Sequence, residues 1–109
     1  MNLTDLKVAI LTATTRAYHY TAPTAPVFPY CVWAEDMQSD ALHGDGVMVA
    51  RVIEGTIDVF SKAEFDPLPD KIQRALNTAG ICFRLNSIQY EPDTKIIHHE
   101  IVWDIEMEV

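Results

Sequence analysis

The stretch KIIHHEIVWDIEMEV, residues 95–109, decides the fold. In it Ile97, Ile101, Trp103, Ile105, Met107 and Val109 alternate with His98, Glu100, Asp104, Glu106 and Glu108. A two-residue period is the signature of a strand with one dry face and one wet face. Upstream, residues 91–94 read Glu-Pro-Asp-Thr, in which proline pre-sets a turn and aspartate supports it, so residues 81–90 form the other arm of a hairpin. Before that hairpin a helix is well marked. Asp66 can cap it, Pro67 suits its first turn, Leu68, Ile72, Ala75, Leu76 and Ala79 make its apolar stripe, and Gly80 is placed to end it.

Residues 47–61 read as a long strand with Ile53, Ile57 and Val59 on the dry side and Glu54, Thr56 and Asp58 on the wet side. Gly55 falls on the dry side, where a strand glycine marks a bulge or the close approach of another element. Residues 30–34 are aromatic and β-branched and predict a first strand, whereas residues 35–46 carry too little apolar content to pack alone and read as a mobile loop closed by the turn glycines Gly44 and Gly46. Leu3, Leu6, Ile10 and Ala13 predict a helix over residues 3–15, with Asn2 and Asp5 in a capping arrangement. Between them, residues 17–29 hold Pro23, Pro26 and Pro29, which block a helix and favour an extended connector or arm.

A strand, helix, strand connection within one sheet is nearly always a right-handed crossover that leaves its strands parallel, with room for another strand between them. The hairpin partner fills that room. The expected fold is therefore an α/β (α+β) two-layer sandwich of element order α-β-β-α-β-β. Its four-stranded, mainly antiparallel sheet has order 1-2-4-3, two helices cover the dry face, and carboxylates line the other. Residues 1–109 are expected to form a single domain.

The chain has 16 acidic and 8 basic residues, a net charge of -8, which sets it against phosphate backbones and acidic membranes. No stretch approaches the ~18 apolar residues of a membrane span, and the first five residues lack the features of a leader. Cys31 and Cys82, flanked by apolar residues, read as buried free thiols. His98 and Glu100 share a strand face and could approach a metal, but a zinc site needs about three protein ligands, and His19 and His43 lie in connectors. Alternation along one polar face gives the carboxylates similar environments, against an acid and base pair. No nucleophile elbow, phosphate-cradling glycine loop or HExxH pattern occurs, so no catalytic, cofactor-binding or metal residues are assigned. Trp33, Trp103, Tyr30 and Phe60 read as core residues, in a sheet with limited room to hide all four.

The order of signals is informative as a whole. A short helix, a proline-marked approach to an aromatic strand and Asp45-Gly46 precede the run Gly55-Thr56-Ile57-Asp58-Val59-Phe60-Ser61-Lys62. There follow Phe65-Asp66-Pro67, Lys71-Ile72-Gln73-Arg74-Ala75-Leu76, Ala79-Gly80-Ile81-Cys82-Phe83 and Ile101-Val102-Trp103-Asp104-Ile105-Glu106-Met107. This pattern resembles the small tail completion, tail terminator or head-to-tail joining proteins of long-tailed bacteriophages and prophages. The resemblance implies a non-enzymatic virion assembly protein without cofactor. It would be a homo-oligomeric ring, often a hexamer, at the head-proximal end of the tail, assembled in the host bacterial cytoplasm against the major tail protein and head connector proteins. The segments that lack packing of their own, with the long strand beside them, are then the expected interface: Pro23, Pro26 and Pro29 on the arm, Asp40, Leu42, His43 and Asp45 in the loop, and Glu54 and Asp58 on the long strand. The alanine- and proline-rich run at residues 20–29 departs from the family pattern. Two other readings stay open: a small metal- or ligand-binding α/β domain using His98 and Glu100, and a generic protein-interaction adaptor working through a sheet edge.

Overall fold

The structure is a computed structural model that describes residues 1–108; Val109, expected to close the dry face of the last strand, lies outside the described residues. Two helices and five strands follow in the order α1 (Leu3–Ala13), β1 (Ala17–His19), β2 (Tyr30–Gly44), β3 (Val47–Ser61), α2 (Leu68–Ala79), β4 (Cys82–Glu91) and β5 (Ile96–Glu108). They form an α+β fold with one mixed sheet of order β1-β2-β3-β5-β4. The expected count of four strands and order 1-2-4-3 are thus corrected by a fifth strand at the margin, parallel to β2, while the remaining neighbours pair antiparallel.

The added strand comes from the proline-marked connector. Its residues Ala17, Tyr18 and His19 pair with Cys31, Val32 and Trp33, and Tyr20 N–H donates to Trp33 C=O at 2.9 Å. The prolines begin only at Pro23, which leaves these three residues free to join a ladder. The connector is therefore folded against the sheet: the His19 ring stacks on Trp33 with centroids 3.9 Å apart, and Phe28 meets Tyr30 edge-on at 5.1 Å.

The expected mobile loop at residues 35–46 is corrected more drastically, because all but the turn belongs to β2. β2 and β3 run 15 residues each and turn at Asp45 and Gly46, with φ of 53° and 79°. Two successive positive φ values are what a two-residue hairpin turn requires, and Asp-Gly supplies them at little cost. The paired stretch lacked an alternating pattern because both of its faces are wet and three register shifts, after Glu35, Gln38 and Leu42, break the period. Among the described residues β5 accompanies β3 as far as the Ala50–Glu108 pair, so the hairpin tip projects past the sheet and helps stretch the molecule to 54 × 25 × 24 Å.

Both helices close over one face of the sheet. α1 ends at Ala13, short of the expected Thr15, and carries the capping box: Asp5 N–H donates to Asn2 Oδ1 at 3.0 Å and Asn2 N–H to Asp5 Oδ2 at 2.8 Å. In α2, Asp66 Oδ1 accepts from Leu68 N–H at 2.9 Å, and Gly80 at φ 76° lets Ile81 N–H reach back to Leu76 C=O at 3.0 Å. Leu6, Ile10, Leu68, Ile72 and Leu76 from the helices meet Cys31, Trp33, Ile57, Val59, Ile101, Trp103 and Ile105 from the sheet in one continuous core. Cys82 departs from expectation: it is exposed at the start of β4 and pairs with Asp104 on the uncovered face.

Candidate functional site

Pairing across the sheet sorts its side chains into two faces. On the covered face Trp33, Ile57, Ile101 and Leu85 lie in one row, and Gly55 and Trp103 in the next. Trp103 is wholly buried, and a Cβ on Gly55 would come within 2.3 Å of its indole. The glycine is therefore the space the indole occupies, the close approach that a strand glycine signals.

The other face carries no helix. Here Asp58 lies between Val32 and Glu100 in one row, and Glu54 beside Asp104 in another, with Glu106 and Glu108 below. Asp36 belongs to the same group: partial burial and the carboxylates of Asp58, Glu100, Glu54 and Glu35 push its carboxyl above the ordinary aspartate value. Next to this acidic field runs an aromatic row, in which Tyr30 stacks on Phe60 at 5.0 Å and Phe60 on the His98 ring at 4.7 Å. Lys62 stands over the Phe28 ring at 4.7 Å. Tyr30 and Phe60, read as core residues, are thus half-buried on the face opposite the helices, whereas Trp33 and Trp103 are in the core.

His98 and Glu100 do share this face, but each already has a partner. His98 Nε2 lies 2.8 Å from Asp58 Oδ1, and Asn86 Nδ2 donates to Glu100 Oε1 at 2.9 Å. His19 and His43 are far from them in the fold, one on the opposite margin against Glu35 at 2.7 Å and the other on the hairpin, and among the described residues no group of three or more His, Cys, Asp or Glu is gathered for a metal. Glu35 accepts from both Tyr20 and His19; burial pushes its carboxyl up, and these bonds more than offset it, leaving it below the ordinary value.

The suggested interface residues separate into three places. Asp40, Leu42, His43 and Asp45 lie along the distal part of the β2–β3 hairpin, Asp40 and Leu42 still level with β5 and His43 and Asp45 on the projecting tip, where Val47 is also exposed. Glu54 and Asp58 lie on the acidic face. Pro23, Pro26 and Pro29 sit in the connector, with Pro23 exposed and the other two half-buried. Sequence reasoning missed a further feature: Phe65, 89% exposed at φ 57°, stands beside Ile88 and Ile97 over a cleft of about 550 Å³ whose lining includes His99. Burial lowers the His99 pKa, against the raising effect of Asp70, and its buried Nδ1 has no hydrogen-bond partner among the described residues.

The model of a family described as tail completion protein gp17 matches residues 3–107. None of the curated proteins compared matches the chain. Among solved structures, a chain from the "Virion of native gene transfer agent (GTA) particle" superposes with a TM-score of 0.66 at 17% identity, covering 98% of this chain and 91% of that one. At that identity the likeness speaks for the fold.

Proposed function

The chain belongs to the tail completion protein gp17 family, and from that premise we propose that it is a structural component of a phage-type virion, acting through surfaces rather than catalysis. In this reading residues 1–109 work as one unit. Copies close into a ring, six-membered by the family resemblance, at the head-proximal end of the tail, where the ring ends the tail tube or joins it to the head. Assembly takes place in the host cytoplasm, with the major tail protein and the head connector as neighbours.

The observation that carries the proposal is the projecting β2–β3 hairpin. An isolated two-stranded ribbon is marginal in water, and this one exposes Leu42 in the row of the last described β5 pair and Val47 past it. Such a ribbon is stabilised by a neighbour that covers it. A ring built from head-to-tail contacts needs two different complementary patches on each subunit, and the hairpin supplies one.

The test is native mass spectrometry and electron microscopy of the purified protein, alone and with tail tubes, over a range of concentrations. Closed rings, free or capping one end of the tubes, are expected. Monomer at every concentration and bare tubes after mixing would refute the proposal.

A further inference from the structure

We propose that the outer edge of β4 receives the outer edge of the β2 arm, residues 35–44, from a second copy of the chain, so that the sheet continues from subunit to subunit. This rests on the ring reading above and names the contact that would build the ring.

Both edges are open. β1 covers β2 only at Cys31, Val32 and Trp33, and β4 is the last strand of the sheet on its side. An unpaired edge is a template for another strand unless it is blunted by proline, lysine or bulges. β4 has no proline or lysine and one register shift, and it leaves Leu85, Ile88 and Tyr90 exposed. The two edges lie on opposite margins of one sheet, so the contact joins unlike patches and leads round a ring. Their directions also agree. Three antiparallel pairings separate β2 from β4, so the two run oppositely, and a neighbour related by rotation about an axis near the strand direction would pair with them antiparallel.

The charges complement each other on one face. Before its last residue, Glu91, β4 bears a single charge, Arg84, which pairs with Val102 on the carboxylate side of the sheet. The arm carries Glu35, Asp36 and Asp40 and neither Lys nor Arg. In a continued sheet Arg84 would share a face with the neighbour's Asp36 and Asp40, the first of which is crowded by carboxylates in the single chain.

The heights fit a closed ring as well. The middle of β4, at Leu85, is level with Ile57 of β3, and the middle of the arm, at Asp40, is level with Val52. Those five β3 residues correspond to ~17 Å at ~3.3 Å per residue, and the four strands from the arm to β4 (β2, β3, β5, β4) repeat over ~19 Å at ~4.8 Å each. Bringing the arm level with β4 at equal subunit height therefore needs a strand tilt of ~41°, within the ~35–45° usual for closed sheets. The register shifts of β2 limit the number of backbone rungs, which gives Arg84 a large part in selecting the contact.

The experiment uses the full chain with Cys82→Ser, leaving Cys31 buried, and adds Ser39→Cys and Ser87→Cys. A short bismaleimide is applied to the protein alone and on tail tubes, and products are read by denaturing gels and peptide mass spectrometry. A ladder of self-linked chains joined between positions 39 and 87 is expected. Arg84→Glu should abolish it and Asp36→Lys with Asp40→Lys in the same chain should restore it, each variant first checked for wild-type circular dichroism and melting. Should Arg84→Glu fail to fold, the ladder itself still decides. Oligomers without the 39–87 link, or a link from position 39 to another tail protein, would overturn this contact and leave the ring standing. No oligomer in any setting would overturn both.

Discussion

Replacing Gly55 by alanine should be among the most damaging small changes this chain can suffer. The new Cβ would lie 2.0 Å from Ala34 C=O and 2.3 Å from the indole of Trp103. Neither can retreat cheaply. The carbonyl belongs to β2, whose ladder with β3 passes through Ala34–Thr56 and Glu35–Gly55, and the indole is fully buried in the core. Overpacking by one methyl group typically costs ~1–3 kcal/mol, and a backbone obstacle places this site at the upper end, about 3 kcal/mol. Against a total stability of ~5–15 kcal/mol that is a large loss, equivalent to a melting temperature lower by ~12 °C or more.

Urea melts of the monomer give the number, with an unchanged slope showing that two-state unfolding persists. The two positions should also be coupled. Trp103→Leu alone loses packing and opens a cavity, but in its background Gly55→Ala should cost at least ~1 kcal/mol less than in the wild type, because one of its two obstacles has gone. A loss below about 1 kcal/mol for Gly55→Ala, or strict additivity in the double variant, would show that the close approach of strand and indole has been misread.

Three further outcomes follow from individual side chains. His99 has a lowered pKa through burial, so the folded state resists its protonation; stability should hold above the unfolded histidine value of about 6.5 and fall as pH drops below it. His99→Gln should flatten that fall, and an unchanged pH profile of melting would count against it. Asp36 has the opposite sign: its raised pKa penalises the charged form, so Asp36→Asn should raise the melting temperature at pH 7 and have no such effect at pH 3, where both states are protonated. Finally, burial pushes the Cys31 thiol up to about 12 while Cys82 is exposed, so a thiol reagent at pH 8 should titrate one cysteine in the folded chain and two in urea; two fast equivalents without urea would contradict the core placement.

What could be read from the sequence was whatever buries one face. β5 alternates because the helices cover Ile101, Trp103 and Ile105 while Glu100, Asp104 and Glu106 face water, and α2 was legible because Asp66 and Gly80 punctuate an apolar stripe. β1 and the distal half of β2 were not legible, for a shared reason. Each is held by backbone pairing rather than by burial, so neither needs an apolar period, and the bulges of β2 erase any period it had. The one local clue to the long hairpin was Asp45-Gly46, a strong turn signal whose flanks looked too polar to be strands.

That same polarity bears on function. The polar distal part of this pairing, from Glu35–Gly55 to Gly44–Val47, has little reason to form unless the pairing itself is useful, since burial contributes almost nothing beyond Ala50. Its length places Leu42, Val47 and Val49 well outside the core, and its register shifts protect it from indiscriminate edge pairing. β4, with a single register shift and no proline or lysine, is the edge left sticky. One guarded arm and one unguarded edge, on opposite margins of a single sheet, are the asymmetry a head-to-tail ring requires. A self-complementary two-fold dimer would instead call for one patch able to meet its own copy.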